Sequence, residues 1–215
     1  FLKPYGPRED IENLCTEARH YGFAMVAVNP AEVEHCVELL QGSPVRVGAA
    51  IGFPLGQTTT AVKIYEIEDA LHRGAGEIDM VINIRALQSG DTDLVRTEIA
   101  ALAELSQSAG AISKVILETC YLTDAEKRLV CQIARTQGLD FVKTSTGFGT
   151  GGATVEDVKL MRNAVGPDMG VKAAGGIRTL QTACAMIEAG ATRIGTSSGV
   201  QIMKEILETT QREVT

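Results

Sequence analysis

Short apolar runs alternate with longer amphipathic stretches along the whole chain, and this alternation limits the folds the chain can adopt. The apolar runs lie at residues 24–29, 45–53, 77–84, 114–119, 139–145, 170–176 and 192–198. Their near-continuous apolarity is typical of parallel strands that are covered on both faces. The stretches between them show helical spacing, and several begin at a capping threonine or end at glycine. The sequence therefore predicts an α/β fold built from a repeated strand–helix unit.

Seven such units fit either an open doubly wound sheet or a (β/α)₈ barrel in which one strand is incomplete. The N-terminal segment FLKP (1–4) precedes a helix-like stretch and could be the end of a first strand, which would restore eight. We favour the (β/α)₈ TIM barrel with a truncated first strand, because the pattern fills the chain evenly. Since no composition shift marks a boundary, residues 1–215 are predicted to form a single domain.

Bulk properties exclude several classes of partner. A net charge of −7 opposes sequence-independent binding to nucleic acid, which needs many cationic side chains. The sequence has no apolar run near the ~20 residues of a membrane span, so no membrane association is expected. The five cysteines are dispersed without a CxxC pair, which is typical of reduced thiols and indicates a cytoplasmic location.

Two of the apolar runs carry a lysine near the carboxyl end, Lys143 and Lys172. A single lysine there is more often solvated or structural, but these two lie one strand–helix unit apart. Their strands should be neighbours, ~4.8 Å apart, with both ammonium groups facing one cavity. A second ammonium ~4 Å away at an effective dielectric constant of ~20 supplies ~4 kcal/mol of repulsion, enough to free one amine at neutral pH. The pair therefore predicts Schiff-base chemistry.

Such chemistry also needs a carboxylate to move protons, and Asp79 lies inside the apolar run 77–84. Alternation along a strand puts Asn83 on the same face, nearer the strand end. From spacing alone Asn83 is a rival for the polar position. Asp79 could also cap a loop or pair with an arginine.

Glycine and hydroxyl residues after three of the runs predict a phosphate site, because glycine lets backbone amides approach oxygen atoms. Tight turns without a ligand are the alternative interpretation. The candidate residues are Thr146, Gly147, Gly175, Gly176, Gly195, Ser197 and Ser198.

Two other chemistries are disfavoured. Residues 147–152 match the G-x-G-x-x-G fingerprint of dinucleotide sites, but they fall late in the chain and no acidic residue ends the next run. His20, His35 and His72 fall in predicted helices, away from strand ends, which argues against serine–histidine catalysis and a histidine-ligated metal. We therefore expect no metal and no cofactor.

Five segments together resemble the deoxyribose-phosphate aldolase family of class I aldolases, and the likeness runs over essentially the whole chain. They are GEIDMVINI (76–84), KVILETCYLTDAEK (114–127), FVKTSTGFGTGGAT (141–154), VKAAGGIRT (171–179) and RIGTSSG (193–199). The resemblance implies a (β/α)₈ barrel that reversibly cleaves 2-deoxy-D-ribose 5-phosphate to acetaldehyde and D-glyceraldehyde 3-phosphate. It implies no metal or cofactor, and it is compatible with a homo-oligomer.

The resemblance implies a role for each residue that matches a functional position of the family. Lys143 is similar to the family's Schiff-base lysine, and Lys172 to the lysine that lowers its pKa. Asp79 is similar to the acid/base partner, which favours it over Asn83. The glycine, threonine and serine residues named above match positions of the phosphate and substrate site.

Three departures from the family pattern stand out. The family's first strand carries Asp-x-Thr just before the segment matching FLKP, Ala27 stands where many relatives have cysteine, and the chain ends in REVT (212–215) instead of a tyrosine. We expect these to affect rate and affinity more than reaction class. Two alternatives stay open: another Schiff-base barrel, transaldolase-like or thiolase-like, and a phosphosugar-binding barrel inactivated by the missing strand.

Overall fold

The computed structural model describes the backbone of residues 1–213 and the side chains of residues 1–209. Within these residues seven parallel strands form one sheet, in which each strand pairs with the next along the chain. The strands are β1 (Met25–Val28), β2 (Arg46–Ile51), β3 (Glu77–Val81), β4 (Ile112–Ile116), β5 (Phe141–Lys143), β6 (Gly170–Ala174) and β7 (Arg193–Gly195). Sequential order with parallel pairing is the topology of a barrel rather than of a doubly wound sheet, where the strand order reverses.

The sheet curls, so that side chains from distant strands meet on its inner face. Lys172 of β6 has its Nζ 3.6 Å from the Sδ of Met25 in β1. Arg193 of β7 donates to Glu77 of β3 at 3.3 Å. A flat sheet in this strand order would hold these strands far apart, since neighbours are spaced ~4.8 Å.

Helices follow the strands and cover the outer face. They are α1 (Glu9–Tyr21), α2 (Val33–Leu39), α3 (Thr60–His72), α4 (Ile84–Gln88), α5 (Thr92–Ser108), α6 (Asp124–Thr136), α7 (Val155–Val165), α8 (Leu180–Glu188) and α9 (Gly199–Glu213), with 3₁₀ turns at Pro30–Glu32 and Thr119–Tyr121. The sequence did not predict α4 and α9. Within the described part of the chain, no helix is long and apolar enough to cross a membrane.

Threonine caps begin several helices as predicted, because the threonine oxygen accepts a bond from an otherwise unpaired amide. Thr123, Thr154 and Thr179 cap α6, α7 and α8. For α3 the cap is Thr59. All five residues of β3 are buried, which confirms the prediction of strands covered on both faces.

The N-terminal segment differs from the prediction that FLKP ends a first strand. Residues 1–8 form no strand in the structure. The Phe1 amine donates to the Ala27 carbonyl, and Asn29 donates to the Leu2 carbonyl at 3.5 Å. Carbonyls of a strand alternate between its two edges, and that of Ala24 bonds to the amide of Arg46 in β2. The segment therefore lies along the other edge of β1. The prediction on REVT (212–215) lies outside the residues with described side chains.

Candidate active site

The three residues predicted for amine chemistry lie together inside the curled sheet. Lys143 and Lys172 are register partners on β5 and β6, so their side chains leave the sheet side by side. Lys143 Nζ lies 2.7 Å and Lys172 Nζ 2.8 Å from the same atom, Asp79 Oδ2. One carboxylate oxygen thus accepts a hydrogen bond from both ammonium groups.

A third lysine that the sequence analysis missed completes the cluster. Lys114 is the register partner of Asp79, and its Nζ lies 2.7 Å from Asp79 Oδ1. Lys114 also forms an ion pair with Glu77, and both oxygens of Glu77 accept from Arg193 at 3.3 Å. Glu77 and Asp79 are two residues apart on a strand, so they share a face. That alternation could have revealed Glu77 from the sequence.

Burial decides the electrostatics of this cluster. Asp79 is 2% exposed and the two lysines are 4% exposed each, so water hardly screens their charges. Burial alone would raise the pKa of Asp79, but Lys143, Lys172 and Lys114 outweigh it and hold that pKa well below its usual range. Burial, aided by repulsion from Lys143 and Lys114 and opposed by Asp79, lowers the pKa of Lys172 to about 7.

The site therefore contains an amine, that of Lys172, whose pKa lies near neutral pH. The role of Lys143 as the amine that its neighbour frees stays a prediction. Both groups bond to one oxygen atom and repel each other equally. A proton lost from such a pair titrates as a property of the pair rather than of one residue.

Asn83, the rival of Asp79 for the polar position, lies outside the lysine cluster. Its Oδ1 accepts from the Ala86 amide at 3.0 Å and so caps α4. It also accepts from Gln57 at 3.2 Å. β3 ends at Val81, before Asn83, so the alternation of the strand no longer controls where Asn83 points.

Glycine residues from two loops meet at the carboxyl end of the sheet. Gly147, Gly175 and Gly176 have φ values of 90°, 89° and 77°, a region that favours glycine. A Cβ on Gly175 would lie 3.7 Å from the Cα of Gly147, so the loops after β5 and β6 are in contact. At Gly147 and Gly176 the space beside the backbone is open. Backbone groups there are accessible to a ligand, and phosphate binding stays a prediction.

The segment after β7 adjoins the lysine cluster. A Cβ on Gly195 would lie 3.2 Å from Cε of Lys172. Ser197 and Ser198 follow, immediately before α9, and the Ser198 amide donates to the Thr196 hydroxyl at 2.8 Å. Gly195 thus lies next to Lys172, and Ser197 and Ser198 lie at the start of a helix.

Thr146 makes contacts that the sequence did not reveal. Its amide donates to both oxygens of Glu118, at 3.2 and 3.3 Å, and its hydroxyl donates to the same carboxylate. The Thr146 hydroxyl also accepts from the Phe148 amide at 3.0 Å. Thr146 is already paired within the protein, and a direct contact to substrate stays a prediction.

The glycines that resemble a dinucleotide fingerprint serve close packing. A Cβ on Gly152 would lie 2.3 Å from the Gly175 carbonyl oxygen, and one on Gly149 3.0 Å from Cδ of Glu118. The three histidines lie in α1, α2 and α3, as predicted. Among the described residues, no three His, Cys, Asp or Glu side chains group in a way that could hold a metal ion.

Comparison with known proteins agrees with this geometry. Residues 3–205 match the family described as DeoC/LacD family aldolase. A deoxyribose-phosphate aldolase of Bacteroides thetaiotaomicron is 66% identical over 208 residues, covering 97% of this chain and 87% of that protein.

Two solved structures extend the likeness to three dimensions. An aldolase named QR15 has 40% identity and a TM-score of 0.92 over 98% of this chain and 94% of its own. The tetrameric deoxyribose phosphate aldolase of Aeropyrum pernix has 37% identity and a TM-score of 0.89 over 96% of this chain and 87% of its own. These neighbours confirm the barrel-type fold.

Proposed function

This chain belongs to the DeoC/LacD family of aldolases, and on that premise we propose that it reversibly cleaves 2-deoxy-D-ribose 5-phosphate to acetaldehyde and D-glyceraldehyde 3-phosphate. The observation that carries the proposal is the buried pair Lys143 and Lys172 on one oxygen of Asp79. Such a pair supplies an unprotonated amine at neutral pH, which nucleophilic attack on an aldehyde requires. The alternatives, a transaldolase-like enzyme or an inactive binding barrel, have no comparable support.

In the first step Lys143, as a free amine, attacks C1 of the open-chain sugar. The carbinolamine that forms loses water and leaves an iminium ion between C1 and Nζ. Lys143 suits this role because it ends β5, directly before the glycine-containing loop that includes Gly147. Gly147 of the proposed phosphate loop is thus four residues after Lys143, the last residue of the strand.

In the second step a base removes the proton of the C3 hydroxyl and the C2–C3 bond breaks, with the iminium taking up the electron pair. D-glyceraldehyde 3-phosphate leaves, and an enamine of acetaldehyde stays on Lys143. Protonation of the enamine at C2 and hydrolysis of the iminium release acetaldehyde and the free lysine.

Lys172 and Asp79 have different tasks in this mechanism. A group whose pKa is close to the working pH donates and accepts protons most effectively, and the pKa of Lys172 is about 7. Asp79 stays ionised throughout, because its pKa is held well below its usual range. We therefore assign the proton transfers to Lys172 and to water, and assign to Asp79 the orientation of both amines.

The phosphate group would lie across the glycine loops. Gly147, Gly175, Gly176 and Gly195 offer backbone groups, and Ser197 and Ser198 offer hydroxyls at the start of α9. A helix N-terminus carries a partial positive charge and favours anions. Gly195 would bring the phosphate towards Lys172, since a Cβ on Gly195 would lie 3.2 Å from Cε of Lys172.

We also propose an oligomeric state and a cellular location for this protein. The Aeropyrum pernix relative is tetrameric, which supports a homo-oligomer for this chain as well. Cys15, Cys36 and Cys131 are free and buried, and reduced thiols of this kind support a cytoplasmic location.

Borohydride trapping tests the function. The protein is incubated with 2-deoxy-D-ribose 5-phosphate, reduced, digested and analysed by mass spectrometry. We expect the adduct on the peptide that contains Lys143, and neither adduct nor turnover in Lys143→Met. Lys63→Met is a matched control, because Lys63 is also buried against a carboxylate, Glu98 at 2.6 Å, and lies outside the site. Turnover retained by Lys143→Met would exclude the mechanism, and preferential cleavage of ketose phosphates would favour a transaldolase.

A further inference from the structure

Glu118 has a backbone conformation that side chains disfavour. It follows β4, and its φ of 56° and ψ of 64° are left-handed. Among the described residues it is the single non-glycine residue with positive φ. Such strain persists where the surrounding structure requires it, and it is concentrated at ligand sites.

The strained backbone aims a buried carboxylate at one segment. Glu118 is 2% exposed, and its carboxylate accepts hydrogen bonds from both the amide and the hydroxyl of Thr146. Burial raises the pKa of Glu118, while the bonds from Thr146 and the charge of Lys143 lower it. The carboxylate therefore lies close enough to Lys143 to sense its charge, yet its oxygens are used by Thr146.

Thr146 in turn fixes the next residues of the loop. Its hydroxyl accepts from the Phe148 amide at 3.0 Å, so Gly147 is held between two anchored residues. Gly149 then packs on the carboxylate, since a Cβ there would lie 3.0 Å from Cδ of Glu118. Gly147 itself, with φ of 90° and open space beside it, is left facing outward from these contacts.

We propose that Glu118 is a positioning residue for substrate binding, whose carboxylate fixes residues 146–149 so that the backbone of Gly147 meets the phosphate of the substrate. The inference rests on the proposed function and names the residue that shapes one wall of its phosphate site. The hydrogen bonds from Thr146 suit Glu118 to positioning rather than to proton transfer.

Two variants separate the carboxylate from the backbone. Glu118→Gln keeps the size of the side chain and loses its charge, and Glu118→Gly removes the carboxylate while allowing the left-handed backbone. Both should raise KM for 2-deoxy-D-ribose 5-phosphate by about 10-fold or more, the effect of losing hydrogen bonds to a charged group, and change kcat far less. With 2-deoxy-D-ribose, which has no phosphate, kcat/KM should match that of the unmodified protein. Wild-type KM in Glu118→Gly would overturn the proposal.

A double-mutant cycle with Thr146→Val tests whether Glu118 acts through Thr146. The double variant should raise KM by less than the two single changes combined, because both changes remove the hydrogen bond between the Thr146 hydroxyl and the Glu118 carboxylate. Additive increases in KM would overturn the inference. Glu98→Gln is the matched control, since Glu98 is also 2% exposed but pairs with Lys63. It should lower thermal stability and leave KM unchanged.

Titration calorimetry with inorganic phosphate gives a readout that does not depend on turnover. The Kd of Glu118→Gln should exceed that of the unmodified protein by about 10-fold. If the unmodified protein binds phosphate in this way but does not cleave the sugar, the proposed function fails and the inference stands. If it cleaves the sugar while KM and Kd are the same in both proteins, the inference fails and the function stands.

Discussion

Replacing Lys172 by methionine perturbs the electrostatic basis of the site most directly. The Nζ atoms of Lys143 and Lys172 lie 2.7 and 2.8 Å from one oxygen, so they are at most about 5.5 Å apart. Two unit charges at that distance repel by about 3 kcal/mol at an effective dielectric constant of ~20. This energy corresponds to about 2 pKa units for the first proton that the pair loses.

The Lys172→Met variant should therefore need a higher pH for activity. The rise of kcat/KM with pH, expected near the pKa of about 7, should move up by about 2 units. At pH 7 this shift alone lowers the rate about 100-fold, and the loss of proton transfer by Lys172 adds a further 10²- to 10⁴-fold, roughly.

The stability of the unmodified protein should also rise with pH. Lys172 has a pKa of about 7 in the folded protein against 10.5 as an ordinary lysine. Below pH 7 the folded protein therefore holds this proton at a cost, which disappears as pH rises toward 10.5. As pH falls from 10 to 6, the free energy of unfolding of Lys172→Met should rise relative to that of the unmodified protein by up to about 5 kcal/mol.

Initial rates of borohydride trapping and kcat/KM, both measured from pH 5 to 10, check the activity, and urea unfolding at pH 6 and 10 checks the stability. Lys63→Met should leave the pH profile in place, because Lys63 pairs with Glu98 away from the site. If the profile of Lys172→Met stayed at the wild-type pH, repulsion between the two ammonium groups would be ruled out as the source of the free amine.

Two further substitutions test the surroundings of the pair. Asp79→Asn leaves three buried ammonium groups without their shared carboxylate. The free energy of unfolding should therefore fall by about 3–5 kcal/mol and kcat by about 10²- to 10⁴-fold. A wild-type kcat in this variant would contradict the role assigned to Asp79. Gly170→Ala would place a Cβ 2.3 Å from the Phe141 ring and should cost about 1–3 kcal/mol of stability in thermal unfolding. Gly76→Ala, whose Cβ would meet Arg46 at an ordinary 3.7 Å, should be nearly neutral, and equal losses in both variants would refute the packing argument.

The sequence was sufficient to predict that Lys143, Lys172 and Asp79 lie close together, because two local rules control their positions. Side chains alternate along a strand, and carboxyl ends of parallel strands meet at one end of a barrel. Both rules need only the approximate bounds of each strand. The roles of these residues were suggested by family resemblance and stay proposals until the variants are measured.

Lys114 was missed because of a boundary. The predicted run began at Lys114, which made this lysine a strand start, whereas β4 begins two residues earlier at Ile112. Lys114 is therefore central in the strand and points at Asp79. Similarly, the run 77–84 was read as one strand, whereas β3 ends at Val81 and Asn83 caps a helix. Errors of two or three residues are harmless for a fold but change which side chains reach a site.

The remaining contacts depend on the curl of the sheet, which no local pattern encodes. Glu77 and Arg193 are 116 residues apart, and they meet because β3 and β7 face each other across the interior. Among the described residues, this cluster joins four basic groups to two carboxylates: Lys114, Lys143, Lys172 and Arg193 with Glu77 and Asp79.

That excess of positive charge explains why an amine becomes free. If carboxylates matched the basic groups in number, each ammonium would have its own partner, and burial in ion pairs would keep it protonated. With a surplus, the cheapest way to reduce buried charge is to release a proton from a lysine, since arginine does not release one. Arg193 pairs with Glu77, and Lys114 pairs with both Glu77 and Asp79. Lys143 and Lys172 therefore have only Asp79, which they share with Lys114, and that pair is where the proton is lost. A carboxylate added near the pair should therefore abolish activity even if both lysines keep their positions.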